Sequence, residues 1–258
     1  MKAQRIKIKS NTRIAQHHYK IVLDAPAIAK AAKPGNFVMV KVSDGVDPLL
    51  RRPLGIHRAG ITQGAVELLY EIVGTGTEIL SQKKSGEQVD VIGPLGNGFS
   101  IDALLRRTHV ILVAGGMGVA PLMFLAQRLK ADKITALIGA RTSSHILCAS
   151  EFRKLGCDVC FATDDGSKGF HGRVTGLLEN MLPGKAQTDP ALYGCGPKPM
   201  LKAMAGVCSK YGIPAQISLE SHMACGIGAC LGCVVQTKAG FKRVCKEGPV
   251  FRADEVVW

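Results

Sequence analysis

Cys225-Gly-Ile-Gly-Ala-Cys230-Leu-Gly-Cys233, followed after eleven residues by Cys245, is the stretch around which this chain must fold. A C-x₄-C-x₂-C run with a distant fourth cysteine has the plant-type spacing of a [2Fe–2S] cluster. Four thiolates have to converge on two irons, so the loop that carries three of them must curl tightly. Gly226, Gly228 and Gly232 allow positive φ and close backbone approach, which turns backbone N–H groups toward the sulfurs. A zinc site and a set of inert thiols are the other readings. Zinc sites usually pair two C-x₂-C units, whereas here there is one, preceded by a C-x₄-C step. A colourless protein with zinc at these cysteines would contradict the iron–sulfur reading.

The chain has 258 residues, enough for two modest domains and an appendage. Five further cysteines remain: Cys148, Cys157, Cys160, Cys195 and Cys208. An odd remainder without a recognisable signal peptide points to a reducing compartment, so a cytoplasmic protein is expected. Cys157 and Cys160 lie in a strand-like run whose alternation turns them to opposite faces, as core thiols. No apolar run approaches the ~20 residues of a membrane span, so no membrane association is expected. Net charge is +13 with Lys and Arg scattered and no nucleic-acid motif beside them. That implies a solvated basic surface, or one that steers anionic nucleotides or an acidic partner, and no nucleic-acid binding.

The N-terminal third is β-rich. Short apolar or alternating runs at 5–9, 19–23, 37–42, 66–73 and 89–92 are separated by Gly, Pro, Asn and Asp, the pattern of an antiparallel barrel or sandwich. Arg52-Pro53-Leu54-Gly55 places a guanidinium at a strand start in an apolar run, where an anion such as a phosphate would justify it. Tyr70-Glu71-Ile72 leads to Gly74-Thr75-Gly76-Thr77, read as a loop whose glycines bring backbone N–H groups to a ligand while Thr77 adds a hydroxyl. Each stretch alone is also what an ordinary strand edge or loop looks like.

The rhythm then changes. The buried-strand run 109–114 ends in Gly115-Gly116-Met117-Gly118-Val119-Ala120-Pro121, and a helix through Leu129 follows. Strand, glycine turn and helix N-terminus form an anion site, although Ala120-Pro121 stands where the dinucleotide fingerprint has its third glycine. Further strands at 134–138, 158–163 and 191–193 alternate with helices near 150–155, 174–180 and 199–210. This βαβ series predicts a parallel sheet with ligands at its carboxyl ends. There lie Gly115, Gly116 and Gly118, then Gly139-Ala140-Arg141-Thr142, Asp164-Asp165-Gly166 and Gly194-Cys195-Gly196-Pro197. Cys195, just past a strand, is expected to face a ligand. Asp164 and Asp165 are turn caps rather than proton carriers. The seven histidines show no metal spacing, and no catalytic acid–base group is expected.

Taken together and in order, Arg-Pro-x-Gly, Gly-x-Gly-Thr, Gly-Gly-Met-Gly-Val-Ala-Pro-Leu and Cys-Gly-Pro-x-x-Met resemble the ferredoxin reductase family. Met-Ala-Cys-Gly-Ile-Gly-Ala-Cys-Leu-Gly-Cys, followed by Arg243-Val-Cys-Lys-Glu-Gly-Pro-Val-Phe251, resembles one branch of it, the electron transfer subunits of class B dihydroorotate dehydrogenases. The resemblance covers essentially the whole chain. It implies an antiparallel FAD-binding β-barrel (1–101), a parallel-sheet α/β NAD-binding domain (102–215) and a small C-terminal [2Fe–2S] domain (216–258). Arg52, Pro53, Leu54, Gly55, Tyr70, Glu71, Ile72, Gly76 and Thr77 would hold FAD, with Arg52 on the pyrophosphate. Gly115, Gly116 and Gly118 would face the dinucleotide phosphates, and Cys195 would lie near the nicotinamide–flavin stack. Cys225, Cys230, Cys233 and Cys245 would ligate the cluster. Where this family commonly has Ser, this chain has Gly55, so a hydroxyl contact to flavin is missing.

The resemblance further implies a partner: an FMN-containing dihydroorotate dehydrogenase catalytic subunit, in a heterotetramer of two of each. Electrons would pass from that FMN through the cluster and FAD to NAD⁺, in pyrimidine biosynthesis. The same module in a hydrogenase or a ferredoxin–NADP oxidoreductase complex is the alternative. Arg141-Thr142, where an acidic ribose ligand would be sought, leans by itself toward NADP; the resemblance implies NAD.

Overall fold

The computed structural model describes residues 3–60, 62–101, 109–182 and 190–258. The expected division between 101 and 102 therefore borders a stretch, 102–108, outside the described residues. The first β-rich segment is a closed barrel in the order β1 (Gln4–Ala15), β2 (His18–Asp24), β5 (Ala65–Glu71), β4 (Arg52–Gly60), β3 (Phe37–Lys41) and β6 (Gln88–Leu95), with β6 returning to β1. All its pairings are antiparallel. Alternation does the sorting: Ile6, Ile8, Ile21, Leu23, Val38, Val40, Leu54, Ile56, Val66, Leu68, Val89 and Val91 fill one barrel core. Two short helices belong to this part, α1 (Pro26–Ala31) and α2 (Thr75–Gln82). The sequence reading takes the start of α2 for a loop. In the structure Gly74 is its extended N-cap residue, and the Thr77 hydroxyl donates to the Gly74 carbonyl at 3.0 Å.

A seven-stranded sheet follows, in the order β10 (Phe170–His171), β9 (Asp158–Thr163), β8 (Lys133–Ala140), β7 (His109–Gly115), β11 (Ala191–Cys195), β12 (Ala215–Ser218) and β15 (Val250–Arg252). Every pairing is parallel except β12 with β15. β7 is buried along its whole length, as a central parallel strand covered on both faces must be. Its alternate side chains go to opposite layers. Val110, Leu112 and Ala114 pack with α3 (Val119–Ala126) and α4 (Ala149–Lys154), while Ile111 and Val113 pack with α5 (Val174–Met181) and α6 (Lys198–Tyr211). Cys157 and Cys160 join opposite layers, as their spacing suggests. Among the described residues no helix is long and apolar enough to cross a membrane.

Two features join these parts. Phe124, on α3, is fully buried in the barrel core rather than in the core of its own sheet. The C-terminal segment leaves the sheet at β12, forms the cysteine loop and a hairpin of β13 (Val234–Thr237) and β14 (Gly240–Arg243), and re-enters the sheet as β15. Ile217 pairs with Phe251, so the division expected at 215/216 cuts through a strand. The same segment grips the barrel end, where Asn97 N–H donates to the Gly248 carbonyl at 2.6 Å. Phe124→Ala is expected to cost about 3–5 kcal/mol of unfolding free energy. Urea titration should show it, with the loss shared by the barrel and the α/β layers rather than confined to one.

Candidate cofactor sites and the shared cavity

One cavity of about 1490 Å³ lies where the barrel, the carboxyl ends of the parallel strands and the cysteine segment meet. Single ligand pockets run to roughly 300–1,000 Å³, so this space suits more than one large ligand. Arg52, Pro53, Leu54, Gly55, Tyr70, Glu71 and Thr77 line it from the barrel, and Gly115, Gly116 and Cys195 from the sheet. Of the residues expected to hold nucleotide, Ile72, Gly76 and Gly118 do not line it.

Gly76 and Gly118 instead shape the wall. A Cβ on Gly76 would overlap the Arg52 guanidinium, and one on Gly118 would overlap the backbone carbonyl of Cys195. The bare backbone at Gly76 lets the guanidinium lie against the first turn of α2. A charge and a helix N-terminus then face the same space, the arrangement that binds phosphate groups. Among the described residues Arg52 makes no ion pair; its Nη1 donates to the Leu50 carbonyl. Its neighbour Arg51 is different, held to the Asp90 carboxylate at 2.7 Å and its carbonyl at 2.9 Å. Arg51 braces the barrel, and Arg52 has no carboxylate partner among the described residues.

Other side chains are committed elsewhere. The Thr77 hydroxyl accepts from Val73 N–H at 3.0 Å besides donating to Gly74, so it closes its own turn. Tyr70 stacks on Tyr19 and donates to Asn11 Oδ1 at 2.9 Å. Burial pushes its phenol up to about 12, so it presents a neutral ring. Gly55 faces Pro121 of α3, and a Cβ there would meet that ring at 3.8 Å, an ordinary contact. Space alone does not require glycine at this position.

On the sheet side, Gly116 has a φ of 52° with open space around its Cα. With Gly118 it forms the turn that starts α3. Gly139, Ala140, Arg141, Asp164, Gly196 and Pro197 also border the cavity. Cys195 departs from the expectation of exposure: it is 1% exposed. Burial pushes its thiol well above the ordinary range, and Ser218 hydrogen-bonds it. Its strand is central and its side chain turns into the core, so it contributes a wall rather than a reactive thiol. Sequence reasoning missed Glu220. It is exposed to the cavity beside Ser218 and Leu219, and desolvation by the walls around it pushes its carboxyl up. Its place just ahead of the cysteine run was the available signal.

The cysteine loop adjoins the same space through Met223, Ala224 and Gly232. Gly226 and Gly228 have φ of 70° and 83°. At Gly226 any side chain would also strike Met39 of β3, so the loop packs directly on the barrel. Backbone N–H groups already point at sulfur: Gly232 to Cys230 Sγ at 3.5 Å and Cys245 to Cys233 Sγ at 3.4 Å. Partial burial raises the Cys225 thiol, but N–H donors from Ile227, Cys230 and Ala229 outweigh it and bring it down to about 6. Burial and the neighbouring Cys233 push Cys245 up to about 12. Thiols gathered among N–H donors, two of them dry and one at the surface, fit a cluster that needs anionic sulfur and a short path outward. Arg243 ties the loop down, donating to the Gly228 carbonyl at 2.7 Å and pairing with Glu247.

Arg52→Gln is expected to weaken flavin retention by about 10- to 150-fold, the loss of a charge-assisted contact of roughly 1.5–3 kcal/mol. Arg51→Gln should instead lower thermal stability and leave retention nearly intact. Equilibrium dialysis and melting of the two variants check this.

Known proteins are similar to the chain throughout. The iron–sulfur cluster binding domain of dihydroorotate dehydrogenase B matches residues 220–257, and an oxidoreductase NAD-binding domain matches 112–206. The electron transfer subunit of dihydroorotate dehydrogenase B (NAD(+)) from Desulforamulus reducens is 43% identical over 251 residues, covering 95% of this chain and 94% of the relative. That of Geobacillus thermodenitrificans is 41% identical over 259 residues, covering 98% of each. Among solved structures, a chain of the NADH-dependent reduced ferredoxin-NADP oxidoreductase superposes with a TM-score of 0.87 at 30% identity, over 99% of this chain and 90% of that one. The cytochrome b5 reductase domain of Ulva prolifera nitrate reductase shares the fold at 18% identity and a TM-score of 0.66, over 82% and 94%.

Proposed function

Because the chain belongs to the family of dihydroorotate dehydrogenase B electron transfer subunits, we propose that it connects the oxidation of dihydroorotate to NAD⁺ through FAD and a [2Fe–2S] cluster. The carrying observation is that Arg52–Gly55, the Gly115–Gly116 turn and Met223, Ala224 and Gly232 of the cysteine segment all border one cavity. A flavin bound there exchanges two electrons with a nicotinamide and single electrons with an iron–sulfur cluster.

The residues divide the work of placement. Arg52 and the first turn of α2 would neutralise the pyrophosphate of a bound FAD, and Leu54, Gly55 and Tyr70 would hold it from the barrel side. Gly115 and Gly116 offer backbone N–H groups to the NAD phosphates at the start of α3. Asp164 and Arg141 sit at the outer strand ends, where the adenosine half would lie. Cys195 and Ser218 close the wall at the nicotinamide end and keep water from it. Cys225, Cys230, Cys233 and Cys245 hold the cluster, with the exposed Cys230 turned outward. No side chain has to move a proton for the nicotinamide exchange itself.

The chain works as three units in this proposal: residues 1–101 for FAD, 102–215 for NAD and 216–258 for the cluster. The partner is a catalytic subunit that carries its own FMN, in a cytoplasmic assembly of two copies of each. The higher identity to dihydroorotate dehydrogenase B subunits than to the ferredoxin-NADP oxidoreductase chain favours this reading over the alternative complex.

A pull-down of the native complex tests it. The complex is expected to reduce NAD⁺ with dihydroorotate, to prefer NAD⁺ to NADP⁺ by at least about tenfold, and to lose the activity when this chain is stripped off. A complex with flavin and cluster but no turnover of dihydroorotate would assign the module to another partner.

A further inference from the structure

Away from the cavity, the face between the barrel and the α/β layers brings together three donors that no sequence spacing announces. His57 lies on β4, Cys148 precedes α4 and Glu151 lies in its first turn. His57 Nδ1 or Nε2, Cys148 Sγ and a Glu151 carboxylate oxygen all lie within 4.8 Å of one another. We propose that His57, Cys148 and Glu151 form a binding site for a zinc-like divalent cation that clamps the barrel to the nucleotide-binding layers.

The His57 ring carries the argument. It is fully buried, and Nδ1 lies 3.2 Å from the Ala120 carbonyl. A carbonyl only accepts, so Nδ1 carries a proton and the Nε2 edge of the ring faces the other way. That atom has no hydrogen-bond partner and stands 4.0 Å from Glu151 Oε1. An imidazole nitrogen facing a carboxylate in a dry site calls for something positive between them, and Cys148 Sγ within reach of both adds a third donor that a metal ion uses and a proton does not. A backbone carbonyl holding the far nitrogen is also what orients ligating histidines. One nitrogen, one sulfur and one carboxylate oxygen form a donor set of the kind zinc accepts, with a water completing four.

The other two ligands are reachable. Cys148 and Glu151 are only partly buried, which leaves an entry path. Cys148 is held at φ 61°, a conformation a non-glycine residue rarely takes, and this turns the residue ahead of α4. Its thiol would release its proton as the metal binds, one proton per cation. Ligand atoms around tetrahedral zinc stand roughly 3.3–3.8 Å apart, so the side chains must close by about an ångström. Arg58 and Lys20 also approach Glu151, at 3.3 Å and 3.9 Å, both on Oε1. The half-buried Glu67 carboxylate, 4.0 Å from Lys20, offsets part of that charge. These cations weaken the site and predict micromolar rather than nanomolar affinity.

The test uses the flavin- and cluster-loaded chain, exposed to zinc ions in a weakly chelating buffer and desalted. Metal, iron and flavin are then counted on the same sample. About one zinc per chain is expected at full iron content, with an absorption-edge spectrum showing a single sulfur neighbour among nitrogen and oxygen. Cys148→Ser and His57→Gln should each lower zinc affinity by at least about tenfold while iron and flavin stay unchanged. If His57→Gln loses flavin or iron, Cys148→Ser decides alone, because its side chain is partly exposed and keeps its size. Equal zinc in wild type and Cys148→Ser, or an edge with several sulfur neighbours, would overturn the site.

Discussion

The structure depends on how α3 meets the barrel. The helix begins at the glycine turn after β7, so its N-terminal end borders the cavity. Pro121 lies beside Gly55 of β4, and Phe124 is buried among barrel residues. One helix therefore sets the distance between Arg52 and the Gly115–Gly116 turn, which border the same cavity. Its apolar face leaves little freedom, because a large ring buried across two layers costs several kcal/mol to withdraw. A protein that must hold two nucleotides in contact gains from a joint of this kind, with the contact geometry built into a core.

The cysteine loop is positioned by the same logic. A loop of nine residues with three thiols has little apolar surface to fix itself. It is fixed because the strand before it, β12, and the strand after it, β15, pair with each other. Cys233, Val244, Cys245 and Phe251 then share a core with Phe37, Met39 and Leu95 of the barrel. The loop cannot shift without opening that core, and its neighbours Met223 and Ala224 are held at the cavity edge. This turns a short cysteine motif into an electron path of defined length.

Much of this was legible in the sequence, because the informative signals are local. Cysteine spacing, the buried run of β7 and the glycine turn after it each span fewer than a dozen residues. What escaped depends on pairing across long stretches. β15 is three residues long and means nothing until it meets β12. Gly76 and Gly118 read as ligand contacts, yet they serve by giving way to Arg52 and to the Cys195 carbonyl, neighbours distant in the chain. Cys195 follows a strand and reads as exposed, but the central position of β11 buries it. Glu220 and the His57–Cys148–Glu151 group carry no periodicity at all; only the closing of barrel on sheet brings their chemistry together.

The central claim is that one cavity puts the flavin between the nicotinamide and the cluster. Rapid mixing of the flavin- and cluster-loaded chain with NADH, without oxygen, tests it most directly. In wild type the flavin absorbance should be lost before the signal of the reduced cluster appears. In Cys233→Ser, which loses the cluster, the flavin should still be reduced at an unchanged rate. A cluster reduced while the flavin stays oxidised, or a flavin unreactive to NADH once Cys233 is replaced, would contradict the account.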